Sequence, residues 1–449
     1  MPERLAVHRD TIAALATPSG RGGIGVVRVS GPAVERIARS VIGRLPTPRV
    51  ATYCAFLDVR GEAVDEGIAL YFDAPHSYTG EAVLELQGHG GPMVMQALLG
   101  ACLDAGARLA EPGEFTRRAF LEGRLDLAQA EAVADLIDAS SREAARSALR
   151  SLRGEFSAAV DHLVGQLTEL RALTEAMLDF PDEDIDSFHR EDAFRRLVDV
   201  RAGLEATLAS SRQGSMLRAG VQVVIAGQPN VGKSSLLNKL AGEDRAIVSP
   251  IPGTTRDALR EVVHIEGVPV NLVDTAGVRE TKDEVEQLGV ERTWRELSRA
   301  DVVLLVVDAR AGVSRADEEL VARLPAGGTP IRAFNKADLL ADQAPKADSE
   351  RDVYVSALTG AGVNRLAKEI LRAAGWASSG ETVFIARERH LRALTAAKER
   401  LDAAASSLAE WELFAEDLRQ AQASLSGITG EFTADDLLGE IFARFCIGK

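Results

Sequence analysis

The sequence predicts a multidomain chain of α/β and all-α parts. A small α+β domain leads, followed by a helical bundle into which a doubly wound α/β domain is inserted. Three observations predict this. At 449 residues the chain exceeds one compact core. Helix-rich sequence, dense in Ala, Leu, Glu and Arg, stands on both sides of a central stretch. That stretch, about 217–378, alternates apolar strands with helix-like segments.

Each element follows in order. Residues 1–120 mix short β-like runs (GIGVVRVSG, EGIALYF, AVLELQG) with glycine and proline punctuation and one apolar helical stretch near 93–104. From Leu125 apolar residues recur at three and four, as in bundle helices. The acidic run PDEDID at 181–186 reads as a solvated turn, and a further helix is expected from about 191 to 212. VQVVIAG, VPVNLVDTAG, DVVLLVVDA, PIRAFNKAD and DVYVSAL read as strands of the central domain. Helical texture returns near 385 and runs to the end. The economical division is 1–120, 121–215, 216–379 and 380–449, with the second and fourth pieces forming one helical domain. Two separate helical domains are the alternative.

Composition narrows the class. Hydrophobic residues make 46% and charged residues 27%, ordinary for globular domains. The net charge of −15 argues against a protein that coats nucleic acid by bulk electrostatics, and leaves room for a local basic patch. Cys54, Cys102 and Cys446 are too scattered for a disulfide framework, and no C-x-x-C spacing occurs. A reducing compartment follows. The N-terminus lacks a signal-peptide run, and nothing approaches the ~18 apolar residues of a spanning helix. A cytoplasmic protein without a membrane partner is expected.

The run Gly227-Gln228-Pro229-Asn230-Val231-Gly232-Lys233-Ser234 fits G-x-x-x-x-G-K-[ST], after a strand and before a helix. Gly227 and Gly232 let backbone N–H groups close around phosphates at a helix N-terminus. Lys233 reaches the β- and γ-phosphates, and the Ser234 hydroxyl suits Mg²⁺. Asp274-Thr275-Ala276-Gly277 ends a strand, placing a carboxylate near the Mg²⁺ shell and a glycine near a γ-phosphate. Asn335-Lys336-Ala337-Asp338 ends another. The Asp338 carboxylate can accept two hydrogen bonds from guanine, a pairing adenine does not offer. Ser356-Ala357-Leu358 fits the loop that supports the base. Gly253-Thr254-Thr255-Arg256-Asp257 falls where a switch loop belongs, with Thr255 as γ-phosphate and Mg²⁺ sensor. Together these describe a Ras-like GTPase domain. Val278 stands where small signalling GTPases carry the glutamine that orients water. Acidic residues of ETKDEVEQLGVE, among them Asp283, Glu284 and Glu286, are candidates to replace it.

GQPNVGKSSLLN, IPGTTRD, DTAGVRETKDEVEQLGVER, NKAD and the C-terminal FCIGK resemble the MnmE (TrmE) family of bacterial tRNA-modifying GTPases. So do TPSGRGGIGVVRVSG, SYTGEAVLELQGHGG and EPGEFTRRAFLEGRLDLAQAEAVADLIDA, so the resemblance covers all three textures. It implies a homodimer formed through the N-terminal domain and GTP hydrolysis that uses K⁺ in place of an arginine finger. Asn230, Ser249, Ile251 and Thr254 match the potassium site, and Glu286 matches the glutamate that orients the hydrolytic water. Val231, Ser235, Pro250 and Pro252 join the nucleotide site through the same motifs. With the FAD-binding partner MnmG, in a heterotetramer, the family modifies the wobble uridine of certain tRNAs at C5. The product is an aminomethyl or carboxymethylaminomethyl group. The one-carbon unit comes from 5-formyl- or 5,10-methylene-tetrahydrofolate, whose site would include Arg28, Glu85, Arg124 and Lys449. Glu85 would accept from the pterin edge, and the cations would pair with folate carboxylates. Position 124 departs from the family's lysine, and arginine presents a wider fork there. Without the resemblance, Arg28 and Glu85 read as a structural ion pair.

Other signals carry less. Gly20-Arg21-Gly22-Gly23-Ile24-Gly25 spells G-x-G-x-x-G, but the strand follows it and no helix opens, so it is no dinucleotide fingerprint. His89 in QGHGG, one histidine without partners, reads as part of a turn. Cys446 fails as a prenylation box because of Gly448 and Lys449. It is either a functional thiol beside the folate or a buried anchor for the tail. A ribosome-assembly GTPase switch is the alternative function. Such proteins share the GTPase motifs but carry a basic appendage in place of the N-terminal domain and FCIGK.

Overall fold

The computed structural model describes residues 10–179, 187–242, 260–274, 300–322, 330–340, 351–377, 383–407, 410–430, 435–443, 445 and 448. The expected PDEDID turn lies outside them. Contacts divide the chain into two units, one of 1–134, 152–169 and 419–449, the other of 135–151 and 170–418.

In the first unit β1 (Ile12–Leu15), β2 (Gly25–Ser30), α1 (Val34–Ile42), β3 (Thr52–Leu57), β4 (Ala63–Phe72), β5 (Val83–Gly88), α2 (Pro92–Asp104) and β6 (Arg108–Leu109) build one sheet and its cover. The strand order is β3-β4-β5-β2-β1-β6, antiparallel except between β1 and β6. Side chains alternate across each strand. Val27, Val29, Leu84 and Leu86 therefore turn to one face, where Ile37 and Val41 of α1 and Leu98 and Cys102 of α2 bury them. Arg28 and Glu85 turn to the other. Helices α3 (Glu114–Leu121) and α4 (Leu127–Ile137) follow, and Phe115 packs with Ile12 and Ala14.

Helices α5 (Arg142–Leu152), α6 (Glu155–Asp179) and α7 (Ser187–Ala219) come next. The last runs beyond the expected 191–212 at both ends. Then follow β7 (Val221–Ala226), α8 (Lys233–Leu240), β8 (Arg260–Ile265), β9 (Val268–Asp274), β10 (Val302–Asp308), α9 (Arg315–Ala322), β11 (Ile331–Asn335), a 3-10 turn (Ala337–Leu339), β12 (Asp352–Tyr354) and α10 (Val363–Ala373). Their sheet has the order β12-β11-β10-β7-β9-β8, parallel except for β8. Counted from β7 this is 6-5-4-1-3-2, the Ras-like order, whose direction of winding reverses at β7. Ligands in such sheets bind beyond the carboxyl ends of the strands at that reversal. β7 and β10 are buried almost throughout, as strands covered on both faces must be.

The chain ends in α11 (Glu388–Ser406), α12 (Trp411–Thr429) and α13 (Asp435–Ala443). Within the second unit α11 packs on α7, across the whole inserted domain in sequence. Leu197, Val200 and Leu204 on α7 and Leu394, Ala397 and Leu401 on α11 are buried at helical spacing. Arg201 pairs with Asp402, and Lys398 with Glu205 at 3.0 Å. The buried Asp135 binds Arg218, just before the inserted strands begin, and Arg387, just after they end, each at 2.8 Å. Within the second unit, α7 and α11, which flank the insertion in sequence, thus pack together. In the first unit, Leu438, Ile441, Phe442 and Phe445 bury Leu127 and Ala130 of α4.

Candidate functional site

The end of β7 delivers Gly227 with φ 144, and a Cβ there would lie 2.2 Å from the Val306 carbonyl oxygen. Gly232, at φ 95, caps α8, and a Cβ there would meet Asn335 Nδ2 at 2.3 Å. Only glycine fits either place. The free N–H groups of the first α8 turn, with the positive end of its dipole, form an anion cradle. Lys233 Nζ donates to the carbonyls of Gly227 (2.8 Å) and Gln228 (3.1 Å), holding the ammonium over the loop. Val231 is buried, while Ser234 and Ser235 are exposed on the same first turn. The exposed Ser234 hydroxyl is a hard oxygen donor of the kind Mg²⁺ takes.

Asn335, buried at the end of β11, joins two loops. Its Nδ2 donates to the Val231 carbonyl at 2.9 Å, and its Oδ1 accepts from the Ala357 N–H at 3.0 Å. The P-loop, Asn335-Lys336-Ala337-Asp338 and Ser356-Ala357-Leu358 are therefore brought together. Ser356 is buried and its Oγ accepts from the Thr359 N–H, which shapes that loop. Asp338 and Leu358 are exposed beside it. Lys336 Nζ donates to the Asn230 carbonyl (2.9 Å) and pairs with Asp308 Oδ2 (2.8 Å). Asp308 has no role in the sequence argument, although its place at the end of an apolar strand is where site residues stand in this fold. The Arg310 guanidinium and then Lys336 hold its carboxyl well below the usual carboxylate range, against the desolvation that opposes them.

Asp274 ends β9 in register with Ile225 of β7, one strand from the P-loop. Its side chain lies outside the described residues. So do Ser249, Pro250, Ile251, Pro252, Gly253, Thr254, Thr255, Thr275, Ala276, Gly277, Val278, Asp283, Glu284, Glu286, Cys446 and Lys449.

In the first unit Arg28 and Glu85 stand opposite each other in the β2–β5 register. They pair at 2.9 Å. The Arg28 guanidinium lies 5.5 Å from the Tyr78 ring centre and 5.7 Å from that of Phe115. Arg28 Nη1 donates to the Gly448 carbonyl at 3.5 Å, so the FCIGK tail reaches this pair. The ion pair, half-buried beside the partly exposed Tyr78 ring and the Gly448 carbonyl, offers charged groups and one aromatic surface to a polar ligand, while Phe115 is fully buried behind it. Arg124 is exposed on the α3–α4 turn, its stem against Gly80, and makes no hydrogen bond to either residue.

The GRGGIG run leads into β2 and opens no helix. It lies beside QGHGG, the Gly22 N–H donating to the Gly90 carbonyl at 3.1 Å. His89 does have a partner. Its ring Nδ1 and its backbone N–H both meet the Asp65 carboxylate, at 2.8 and 2.7 Å. Asp65 arrives from β4, on which the local motif is silent. Among the described residues no cluster of three or more His, Cys, Asp or Glu could hold a metal, and no helix is long and apolar enough to cross a membrane.

Comparison with known proteins gives whole-chain likeness. A family model described as "GTP-binding protein TrmE N-terminus" matches residues 11–124, and one described as "MnmE helical domain" matches 127–446. A protein of Thiobacillus denitrificans named tRNA modification GTPase MnmE is 58% identical over 449 residues, covering 100% of both chains. One of the same name from Azoarcus sp. is 58% identical over 443 residues and covers 98% of each. Among solved structures, Aquifex aeolicus Era bound to GDP.AlF4- is 30% identical, covering 40% of this chain and 66% of its own, with a TM-score of 0.28. The G domain of the T. maritima FeoB iron transporter is 28% identical, covering 34% and 98%, with a TM-score of 0.26.

Proposed function

The chain belongs to the MnmE (TrmE) family of tRNA modification GTPases, and from that premise we propose that it binds and hydrolyses GTP in the service of tRNA modification. The observation that carries this is Asn335, which ties the phosphate-binding loop to the base-supporting loop through one buried side chain. Full-length likeness to relatives of that name favours this over a ribosome-assembly switch.

Ser234 and Thr255 would hold Mg²⁺, and Asn230, Ser249, Ile251 and Thr254 would hold K⁺. Bound there, the two cations supply positive charge against the phosphate oxygens. Lys233 binds the β- and γ-phosphates, Asp338 reads guanine, and Glu286 orients water in place of the glutamine absent at Val278. The chain acts in the cytoplasm as a homodimer joined through residues 1–120. Residues 121–215 and 380–449 form the helical domain and 216–379 the GTPase domain. With the flavoprotein MnmG it modifies the wobble uridine at C5, using a one-carbon unit from a tetrahydrofolate held by Arg28, Glu85, Arg124 and Lys449.

GTP turnover should be at least about tenfold faster in potassium than in sodium buffer, because the potassium ion would supply the charge that an arginine finger gives in other GTPases. Equal rates would remove the potassium role of Asn230. No turnover in either salt would remove the GTPase reading. Calorimetry with 5-formyltetrahydrofolate on the full chain should show binding that Arg28→Ala weakens about tenfold or more. Binding untouched by that change would place the folate elsewhere.

A further inference from the structure

We propose that Asp308 is a positioning residue for nucleotide binding, holding the Lys336 ammonium on the Asn230 carbonyl and so fixing the turn where the P-loop meets the base-reading loop. This rests on reading that loop as the GTP site.

Among the described residues four non-glycine positions have left-handed backbone, and two of them are Asn230 (φ 63) and Lys336 (φ 64). Such conformations are disfavoured for L-residues and persist where surrounding structure holds them. The bond from Lys336 Nζ to the Asn230 carbonyl connects the two directly. A lysine ammonium is strongly hydrated on a flexible stem, so water competes with a single neutral carbonyl for it and a counter-charge favours the bond. Asp308 supplies the counter-charge at 2.8 Å and is largely shielded from solvent.

The carboxylate is itself fixed from several sides. Asp308 stands opposite Asn335 in the β10–β11 register, and the Ala309 N–H donates to the Asn335 carbonyl at 2.8 Å. The Arg310 N–H and guanidinium also bind it, at 2.7–3.0 Å. A chain of placement results. The sheet sets Asp308, Asp308 sets Lys336, and Lys336 sets Asn230, while Asn335 independently sets Val231.

The test is the affinity of the full chain for a fluorescent GDP analogue, with melting temperatures to confirm folding. Asp308→Asn should weaken binding about tenfold. Asp308→Glu should recover part of the loss. Arg310→Ala, which leaves the Lys336 pair in place, should bind within about twofold of the unaltered chain. Adding Asp308→Asn to Lys336→Met should cost nothing further, because the carboxylate acts through the lysine. In steady-state GTP turnover the Asp308→Asn defect should fall on KM more than on kcat. Unchanged GDP affinity in Asp308→Asn, an equal loss in Arg310→Ala, or additive losses in the double variant would each overturn the proposal. If the unaltered chain does not bind the analogue, the nucleotide reading falls and the proposal with it.

Discussion

Lys233→Ala should lower GTP turnover by about three orders of magnitude while the chain stays folded, since it removes one preorganised charged donor from the developing phosphate charge. The loop around Lys233 does not depend on its ammonium. Gly227 and Gly232 set the backbone, and Asn335 fastens Val231 from the next loop. Losing the ammonium frees the Gly227 and Gln228 carbonyls, both partly exposed, to bond water instead. The melting temperature should therefore move by no more than about 3 °C. Single-turnover hydrolysis with excess enzyme separates the chemical defect from weaker binding. Turnover within tenfold of the unaltered chain would mean that Lys233 does not act on the phosphates.

The P-loop was readable because its demands are local. Two obligatory glycines, a lysine and a hydroxyl fall within eight residues directly after a strand, and the structure gives each glycine a steric reason. Asn335 and Asp338 were readable by spacing after a strand. Asp308 was not, since its partner Lys336 lies 28 residues on, and only the β10–β11 register brings them together. Arg28 and Glu85, 57 residues apart, are likewise joined by register, and the ion pair read from residue types alone is present.

Misses in the fold have the same origin. The end of α7 contains Gly214 and several serines, weak helix formers that end a helix on local propensity. A Cβ on Gly214 would lie 1.5 Å from the Phe384 carbonyl oxygen, so this glycine admits the returning chain at close range and the helix continues through it. β8 runs antiparallel at the sheet edge, outside the strand–helix alternation that revealed its neighbours. Gly448 is explained only by the tail's docking, since a Cβ there would meet the Leu15 carbonyl oxygen at 2.0 Å.

The largest stability effect is expected at Glu114, whose carboxylate is fully buried. Arg108 grips it through two bonds of 2.6 and 2.8 Å, Arg118 adds one of 3.0 Å, and the Glu111 N–H adds another of 2.9 Å. Asp10 and Glu81 balance the remaining guanidinium charge. Burial alone would raise the Glu114 pKa, yet the bonds from Arg108, Glu111 and Arg118 outweigh it and hold the carboxyl at about 2, below its ordinary 4.5. A carboxyl depressed in this way stabilises the folded chain above its unfolded pKa. That contribution, about 3 kcal/mol, is lost as pH falls from 4.5 through about 2. Glu114→Gln leaves the buried Arg118 and the partly exposed Arg108 guanidiniums facing a neutral amide and should cost a similar amount, about 3 kcal/mol, at pH 7. Denaturant unfolding of both proteins at pH 7 and pH 2.5 tests this, followed by the signal of the N-terminal unit. The gap between them should be wide at pH 7 and shrink to about a quarter of that at pH 2.5. A gap of the same size at both would mean that the Glu114 charge does not hold this network, and that shape alone does.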